Sequence, residues 1–259
     1  MTDAYNATEE RIEVSFKLTW IADVLRGAGL KVDEQDGWQD RGRGEMGDVV
    51  GVLCHHTAGP ATGNMPSLNT IINGRPDLSG PLAQLGLGRD GTYYIVAAGR
   101  ANHAGAGSWE GITTGNSSFI GIEAENMGDP IKDPWPDVQM KAYRQEVAAI
   151  LKHLGRGAEF CAGHKEYALP KGRKTDPDFD MDAFREAVRA LLEPDDRPTL
   201  QQGMKGDWVK VVQSKLGIDV DGDFGPATEA AVKEFQTQNG IEPDGVVGPE
   251  TWAALDNIP

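Results

Sequence analysis

Residues 52–59 read VLCHHTAG: an apolar run ends on two adjacent histidines and passes into a turn of small residues. The overlapping stretch DVVGVLC (48–54) is rich in β-branched side chains and bounded by turn formers, which predicts a strand. A strand sends neighbouring side chains to opposite faces. His55 and His56 therefore cannot serve one site unless the strand ends between them, and the residues alone leave open which of the two works.

Working outward, GTYYIVAAG (91–99) and SFIGIEAE (118–125) predict strands by the same criteria. Helical spacing marks the segments between them. Leu18, Ile21, Ala22 and Leu25 recur at i, i+3, i+4 and i+7 and stop near Gly27 or Gly29. A glycine-rich, charged connection follows over 37–47. Tyr143, Val147, Ile150, Leu151 and Leu154 form a second stripe, stopped by Gly155; Phe184, Val188, Leu191 and Leu192 form a third, beginning near Asp180. Mixed strands and helices in one unit predict an α/β fold, a mixed central sheet flanked by helices.

EPDDRP (193–198) has two prolines, four charged residues and no apolar one, a composition suited to a solvated linker. It divides the chain into a domain over 1–192, with an N-terminal helical extension over 1–44, and a domain over 199–259. The second is nearly a repeat: DGDFGPATEAAV (221–232) and DGVVGPETWAAL (244–255) share D-G-x-x-G-P-x-T. Each copy places a tight Asp-Gly turn before a helix with proline near its first turn and a threonine available for capping. With a helix over Val209, Val212 and Leu216 before them, and Ala231, Val232 and Phe235 as the first copy's stripe, this predicts a small C-terminal three-helix domain. DVDGD (219–223) is similar to a calcium loop, but the later acidic ligands are not evident, and a helix-entry turn is the better reading.

The formal charge of −15 excludes a phosphate-backbone partner, since nucleic-acid binding draws on clustered Lys and Arg. The apolar share of 39% is ordinary for a globular chain, and no aliphatic stretch approaches the ~18–20 residues of a membrane helix. The start, MTDAYNATEERIEV, carries acids where a secretory signal carries bases, so the expectation is a chain kept in a cytoplasm until something releases it. A single bridge between Cys54 and Cys161 is no disulfide framework; buried free thiols are expected.

GHKEYALPKGRKTDPDFD (163–180) packs a histidine, several cations and aspartates into a loop punctuated by Pro170, Gly172 and Pro177. Zinc hydrolases take three protein ligands from His, Asp, Glu or Cys and leave a fourth position for water. One strand histidine, His164 and Asp176 can supply three. In FIGIEAE, Ile120, Ile122 and Ala124 alternate toward a core, and Glu123 and Glu125 share the other face.

Taken in order, HHTA after a strand, DGTYYIVAAGRANHAG (90–105), NSSFIGIEAEN (116–126), and GH followed by GRKTDP (172–177) resemble the zinc-dependent N-acetylmuramoyl-L-alanine amidases, relatives of phage amidase-type lysozymes and peptidoglycan-recognition proteins. The resemblance covers roughly 45–192. It implies Zn2+ held by His55, His164 and Asp176, with His56 packing or hydrogen-bonding on the other face. It selects Glu123 as the catalytic carboxylate, with Glu125 as fallback, and Lys174 as the cation facing the oxyanion. His103 and Trp109 are implied as substrate-binding residues of the cleft. Some relatives use a catalytic tyrosine shortly before the D-G turn; the corresponding position here is Ala83, which puts the proton transfer on Glu123. Residues 199–258 resemble the peptidoglycan-binding domain attached to many wall hydrolases.

The implied function is zinc-dependent hydrolysis of the amide between N-acetylmuramic acid and L-alanine in peptidoglycan, with bacterial peptidoglycan as partner and the chain a monomer. Catalysis joined to wall binding without a recognised export signal implies a phage endolysin, in the host cytoplasm until release to the wall, with a bacterial autolysin exported by another route as the alternative. A zinc peptidase cutting within the stem peptide, and a non-catalytic peptidoglycan receptor, are the alternatives.

Overall fold

The computed structural model describes residues 17–193, 197–256 and 258. The chain divides into two compact units, Met1–Leu192 and Glu193–Pro259.

In the first unit the elements run α1 (Ile21–Gly27), β1 (Lys31–Glu34), β2 (Gly51–His56), α2 (Leu68–Asn73), the hairpin β3 (Gly74–Arg75) and β4 (Leu78–Ser79), β5 (Leu85–Leu87), β6 (Thr92–Ile95), α3 (Gly115–Ser118), β7 (Phe119–Ala124), α4 (Asp137–His153), β8 (Cys161–Gly163), α5 (His164–Tyr167) and α6 (Met181–Leu192). Six strands form one sheet in the order β1-β6-β5-β7-β2-β8. Only the β5–β6 pair is antiparallel, so the sheet is mixed.

Neighbours in the middle of this sheet are covered on both faces, which is why β2 and β7 read as nearly continuous apolar runs. Val52, Cys54, Ile120, Ile122 and Ala124 enter the main core with Leu25 of α1, Tyr143, Val147 and Leu151 of α4 and Phe184 of α6. The opposite face carries a smaller cluster of Leu53, Phe119, Ala162 and Tyr167. Register completes the placement: Leu53 lies beside Gly121, and His55 beside Glu123. The odd-numbered residues of both strands thus share one face, and the apolar part of that face gives way to chemistry at the strands' carboxyl ends.

Three short strands escape the sequence pattern. β1 is KVDE, with only Val32 packed against the core, and β5 and β8 are three residues each. Residues 17–44 are consequently no helical extension: α1 packs into the main core and β1 is an edge of the sheet. The rest of the expected extension, 1–16, lies outside the described residues, as do 194–196 of the expected linker. The GTYYIVAAG strand is shorter than expected, because Val96 and Ala97 turn away to donate to the Gln84 carbonyl. α6 begins where Asp180 Oδ1 accepts the amides of Asp182 and Ala183. Its Leu191 is exposed instead of joining the stripe. Cys54 and Cys161 are free and buried, with sulfurs 3.7 Å apart.

The second unit has its own core of Leu200, Val209, Val212, Phe224, Val232, Val247, Trp252 and Leu255. It holds α7 (Asp207–Lys215), α8 (Pro226–Gln238) and α9 (Pro249–Leu255), with proline opening the last two. The repeat extends to a residue the motif does not include. Gln213 Nε2 donates to Asp221 Oδ1 at 2.7 Å and its Oε1 accepts from Gly222 N at 2.8 Å; Gln236 makes the same pair with Asp244, 2.8 Å, and Gly245, 2.9 Å. Thr228 and Thr251 are not caps: each is buried, donates to a turn carbonyl and accepts from that glutamine. Asp221 also accepts from Asp223 N, which fills the DVDGD turn from within. Among the described residues no helix is long and apolar enough to cross a membrane.

Candidate active site

Two parallel neighbours, β2 and β7, deliver His55 and Glu123 side by side at their carboxyl ends. β8 pairs with β2 up to Gly163, and the chain turns there into α5, so His164 arrives beside His55. The turn is held by Gly163 N donating to Glu166 Oε2, 2.8 Å, a carboxylate that also receives both ends of the Arg185 guanidinium. Lys165 N donates to the Asp176 carbonyl at 2.6 Å, which ties the 169–178 loop back onto the start of α5.

These constraints converge three ligand-type atoms. His55 Nδ1 lies 3.0 Å from His164 Nδ1 and 3.1 Å from Asp176 Oδ2, and His164 Nδ1 lies 3.0 Å from the same oxygen. No other such group of His, Cys, Asp and Glu occurs among the described residues. Both histidines are buried. The outer nitrogen of His164, Nε2, donates to the Ala104 carbonyl at 3.0 Å, so a neutral ring presents a lone pair at Nδ1. Burial holds His55 down to about 4, against the pull of Asp176, with the His164 and Lys174 charges lowering it further. Asp176 is pushed up by burial, but the His164 and His55 rings against its Oδ2 outweigh this and hold it well below the usual carboxylate range.

The cluster opens on a cavity of about 310 Å³ whose walls include His103, Glu123, His164, Lys174 and Asp176. Glu123 is half-buried, and its Oε2 is enclosed with no hydrogen-bond partner among the described residues. Burial raises its carboxyl well above the ordinary value, the Asp176 charge raises it further, and Lys174 and Arg75 pull the other way. Glu125 fares differently. It lies past the end of β7 and accepts from Thr57 Oγ1 at 2.7 Å, Ser67 N at 2.9 Å and Ser67 Oγ at 3.0 Å. It does not line the cavity, so it no longer stands as the fallback.

His56 points away from the three-atom cluster: its Nδ1 is 3.5 Å from Asp178 Oδ1 and its ring lies 6.5 Å from that of Trp135, although its edge still borders the cavity. Trp109 is a correction. It is absent from the cavity wall; its Nε1 donates to the Glu159 carbonyl at 2.7 Å, and the Arg185 guanidinium sits 5.3 Å over its ring. Ala83 is fully buried in an apolar cluster with Met65, Ile71 and Val96, so nothing at that position reaches the cleft.

Tyr143 escaped the sequence reading. It reads as one more member of the apolar stripe of α4, yet its Oη accepts from His55 N at 3.1 Å and lies 3.2 Å and 3.3 Å from the carbonyls of His55 and Ile122. The hydroxyl caps the β2–β7 seam where those strands carry His55 and Glu123. Arg75, on the β3–β4 hairpin, and Asn102 also line the cavity; Arg75 lies outside every motif, and Asn102 precedes His103 in NHAG without an assigned role.

A family model described as N-acetylmuramoyl-L-alanine amidase matches residues 45–179, just over half of the chain and every ligand-type residue of the cluster. The chain belongs to that amidase family. A second model, described as a putative peptidoglycan binding domain, matches residues 210–255, behind the amidase region. Among solved structures, a Burkholderia AP3 phage endolysin is 37% identical over 23% of this chain and 25% of its own, with a TM-score of 0.23. A fused Zn-dependent amidase/peptidase/peptidoglycan-binding protein from Clostridium acetobutylicum is 37% identical over 24% of this chain and 30% of its own, TM-score 0.23. The aligned segments thus span less than a third of either relative. The amidase AmiD from E. coli is 20% identical over 89% of this chain and 96% of its own, TM-score 0.44. Comparison with curated proteins finds no match.

Proposed function

We propose that this amidase-family chain hydrolyses the amide between the lactyl group of N-acetylmuramic acid and the first L-alanine of the peptidoglycan stem peptide, with zinc held by His55, His164 and Asp176. One observation carries the reading: three acceptor atoms lie within 3.0–3.1 Å of one another, two of their residues, His164 and Asp176, line a cavity, and the same cavity holds Glu123, with an unpartnered Oε2, and the cation Lys174.

The donor set fits the ion. Two imidazole nitrogens with lone pairs and one carboxylate oxygen crowd together while burial disfavours a proton on His55, so a divalent cation is the charge that relieves them. Two nitrogens and an oxygen suit zinc and leave a fourth position open. When bound, zinc polarises the scissile carbonyl and lowers the pKa of water toward ~7. Glu123 takes the proton of the attacking water and returns it to the departing alanine nitrogen. A carboxyl raised by burial is suited to that exchange, because a proton-transfer group works best with a pKa near the working pH. Lys174 stabilises the developing oxyanion, a contribution of roughly 3 kcal/mol where comparable donors have been removed. The second unit holds the chain on the wall. That pairing suits a phage endolysin, which passes from the host cytoplasm to the wall at lysis.

The test is to incubate the purified chain with sacculi, sequence the released ends by mass spectrometry and measure bound zinc. Free amino-terminal L-alanine, intact N-acetylmuramic acid and stoichiometric zinc are expected. A new amino terminus inside the stem peptide or cross-bridge makes the chain a zinc peptidase, and wall binding without release makes it a receptor; either overturns the proposal.

A further inference from the structure

Both ligand-type histidines turn their outer nitrogens toward one dipeptide, His103–Ala104. His55 Nε2 lies 3.1 Å from His103 Nδ1, the two rings meeting edge-on at 88°, and His164 Nε2 donates to the Ala104 carbonyl at 3.0 Å. The dipeptide is itself clamped. Asn116 Oδ1, two residues before the end of α3, accepts both its amides, His103 N at 3.0 Å and Ala104 N at 2.8 Å. The His103 ring lies over β7 at a position without a side chain: a Cβ on Gly121 would come within 2.6–2.8 Å of the ring's Cγ, Nδ1 and Cδ2. The ring is buried and its far nitrogen, Nε2, has no hydrogen-bond partner among the described residues.

Proton placement follows from these contacts. One hydrogen joins His55 Nε2 and His103 Nδ1. If His103 supplied it, the neutral His55 ring would carry its own proton on Nδ1, in the space between His164 Nδ1 and Asp176 Oδ2, where a metal ion would sit. If His55 supplies it, His55 Nδ1 is a lone pair and all three acceptors face one point. We propose that His103, clamped by Asn116 and seated on Gly121, is a positioning residue that accepts the His55 Nε2–H, and that the His103–Ala104 dipeptide thereby sets the tautomer of both ligand histidines. His103 acts through His55 and not by touching substrate, which revises its expected role. Partners of this kind on a ligand's outer nitrogen typically govern metal affinity by ~10–100-fold.

This rests on the metal reading above, and the experiment separates the two. In the metal-free full chain at neutral pH, nitrogen-15 imidazole spectra should show His55 and His164 protonated on Nε2; a proton on His55 Nδ1 overturns the proposal whether or not zinc binds. In chelator competition, His103→Leu should weaken zinc roughly 10–100-fold, and His103→Asn, whose Oδ1 can take the place of Nδ1, should recover most of that loss. Unchanged zinc affinity with a raised KM for a soluble muropeptide makes His103 a substrate contact and overturns the proposal. Gly121→Ala, which crowds the ring without altering any polar group, should reproduce the zinc loss; retention of wild-type affinity there would remove the seat from the argument and overturn it too. Failure of the wild-type chain to bind any zinc would instead sink the metal reading, with the spectra still deciding the tautomer.

Discussion

Glu123 and Glu125 are two residues apart and identical in chemistry, and the structure gives them opposite work. Glu123 projects beside His55 with an unpartnered oxygen, whereas Glu125 is surrounded by three donors from Thr57 and Ser67. Glu123→Gln should therefore keep zinc and the melting temperature while turnover on muropeptides falls ~100–10,000-fold, the usual contribution of a proton-transfer group. Retained turnover would take the proton transfer away from this residue. Glu125→Ala should do the reverse. Hydrogen bonds to a buried charge contribute ~1.5–3 kcal/mol each, so denaturant unfolding should show a loss of at least about 2 kcal/mol, with kcat of the folded fraction within a few-fold of wild type. The paired measurement distinguishes the site from its support.

At the scale of the element, α4 does more than cover the sheet. Its Tyr143 caps the seam that carries His55, and one turn on, Glu146 is fully buried beside the Tyr93 hydroxyl and the Cys54 thiol, both of its oxygens without a partner by hydrogen-bond geometry. Burial raises the Glu146 carboxyl well above its ordinary value of 4.5; the nearby Tyr93 hydroxyl opposes this and the Cys54 thiol adds to it. The folded chain then holds a proton that the unfolded chain releases above about 4.5. Stability contributed by this site is full below that pH and falls as pH rises toward the folded pKa. Glu146→Gln removes the dependence at nearly constant shape. Thermal melts of the two proteins should nearly coincide at low pH, and the variant should melt higher at pH 8; a gap that is constant or reversed contradicts the buried proton. In the second unit, Gln213→Ala and Gln236→Ala each strip the same bonds from one copy of the repeat and leave buried donors and acceptors unmet. Each should cost that unit roughly 2–3 kcal/mol in calorimetry; a large loss at one position only would mean that the two copies do not carry equal weight.

For the molecule as a whole, two cores without shared members imply two foldable pieces. Cutting within 193–198 should yield a first piece that still hydrolyses soluble muropeptides, because every residue of the cluster precedes the cut. Its rate on intact sacculi should fall, since tethering raises the local concentration of substrate. From residue 199 onward the chain has four lysines, no arginine and ten carboxylates, so attraction of opposite charge is not what holds it on an anionic wall. The second piece should pellet with purified peptidoglycan about equally at 0.1 M and 1 M salt, where the Debye length falls from ~10 Å to ~3 Å. Release by salt, or a soluble second piece beside a pelleting first, would contradict wall anchoring by the repeats.

Much of this was legible along the chain because it depends on neighbours. Alternation in FIGIEAE put Ile120, Ile122 and Ala124 into the core, helical stripes marked α1, α4 and α6, and the Asp-Gly-x-x-Gly-Pro copies marked the second unit. The order of HHTA, NHAG, GIE and GRKTDP was enough to pick His55, His164, Asp176 and Glu123. Other features needed the folded chain, because each depends on groups far apart in sequence. β1 and β8 are too short and, in β1, too polar to declare themselves; they are strands because β6 and β2 offer them unpaired backbone. Glu125 and Trp109 looked like candidates for the cleft until distant partners, Ser67 and Glu159, claimed their polar atoms. Tyr143 meets His55 across 88 residues of chain, and His103 meets it across 48. A motif records which side chains the chemistry requires, whereas the proton positions and backbone seams that make those side chains work are set by contacts that only tertiary packing brings together.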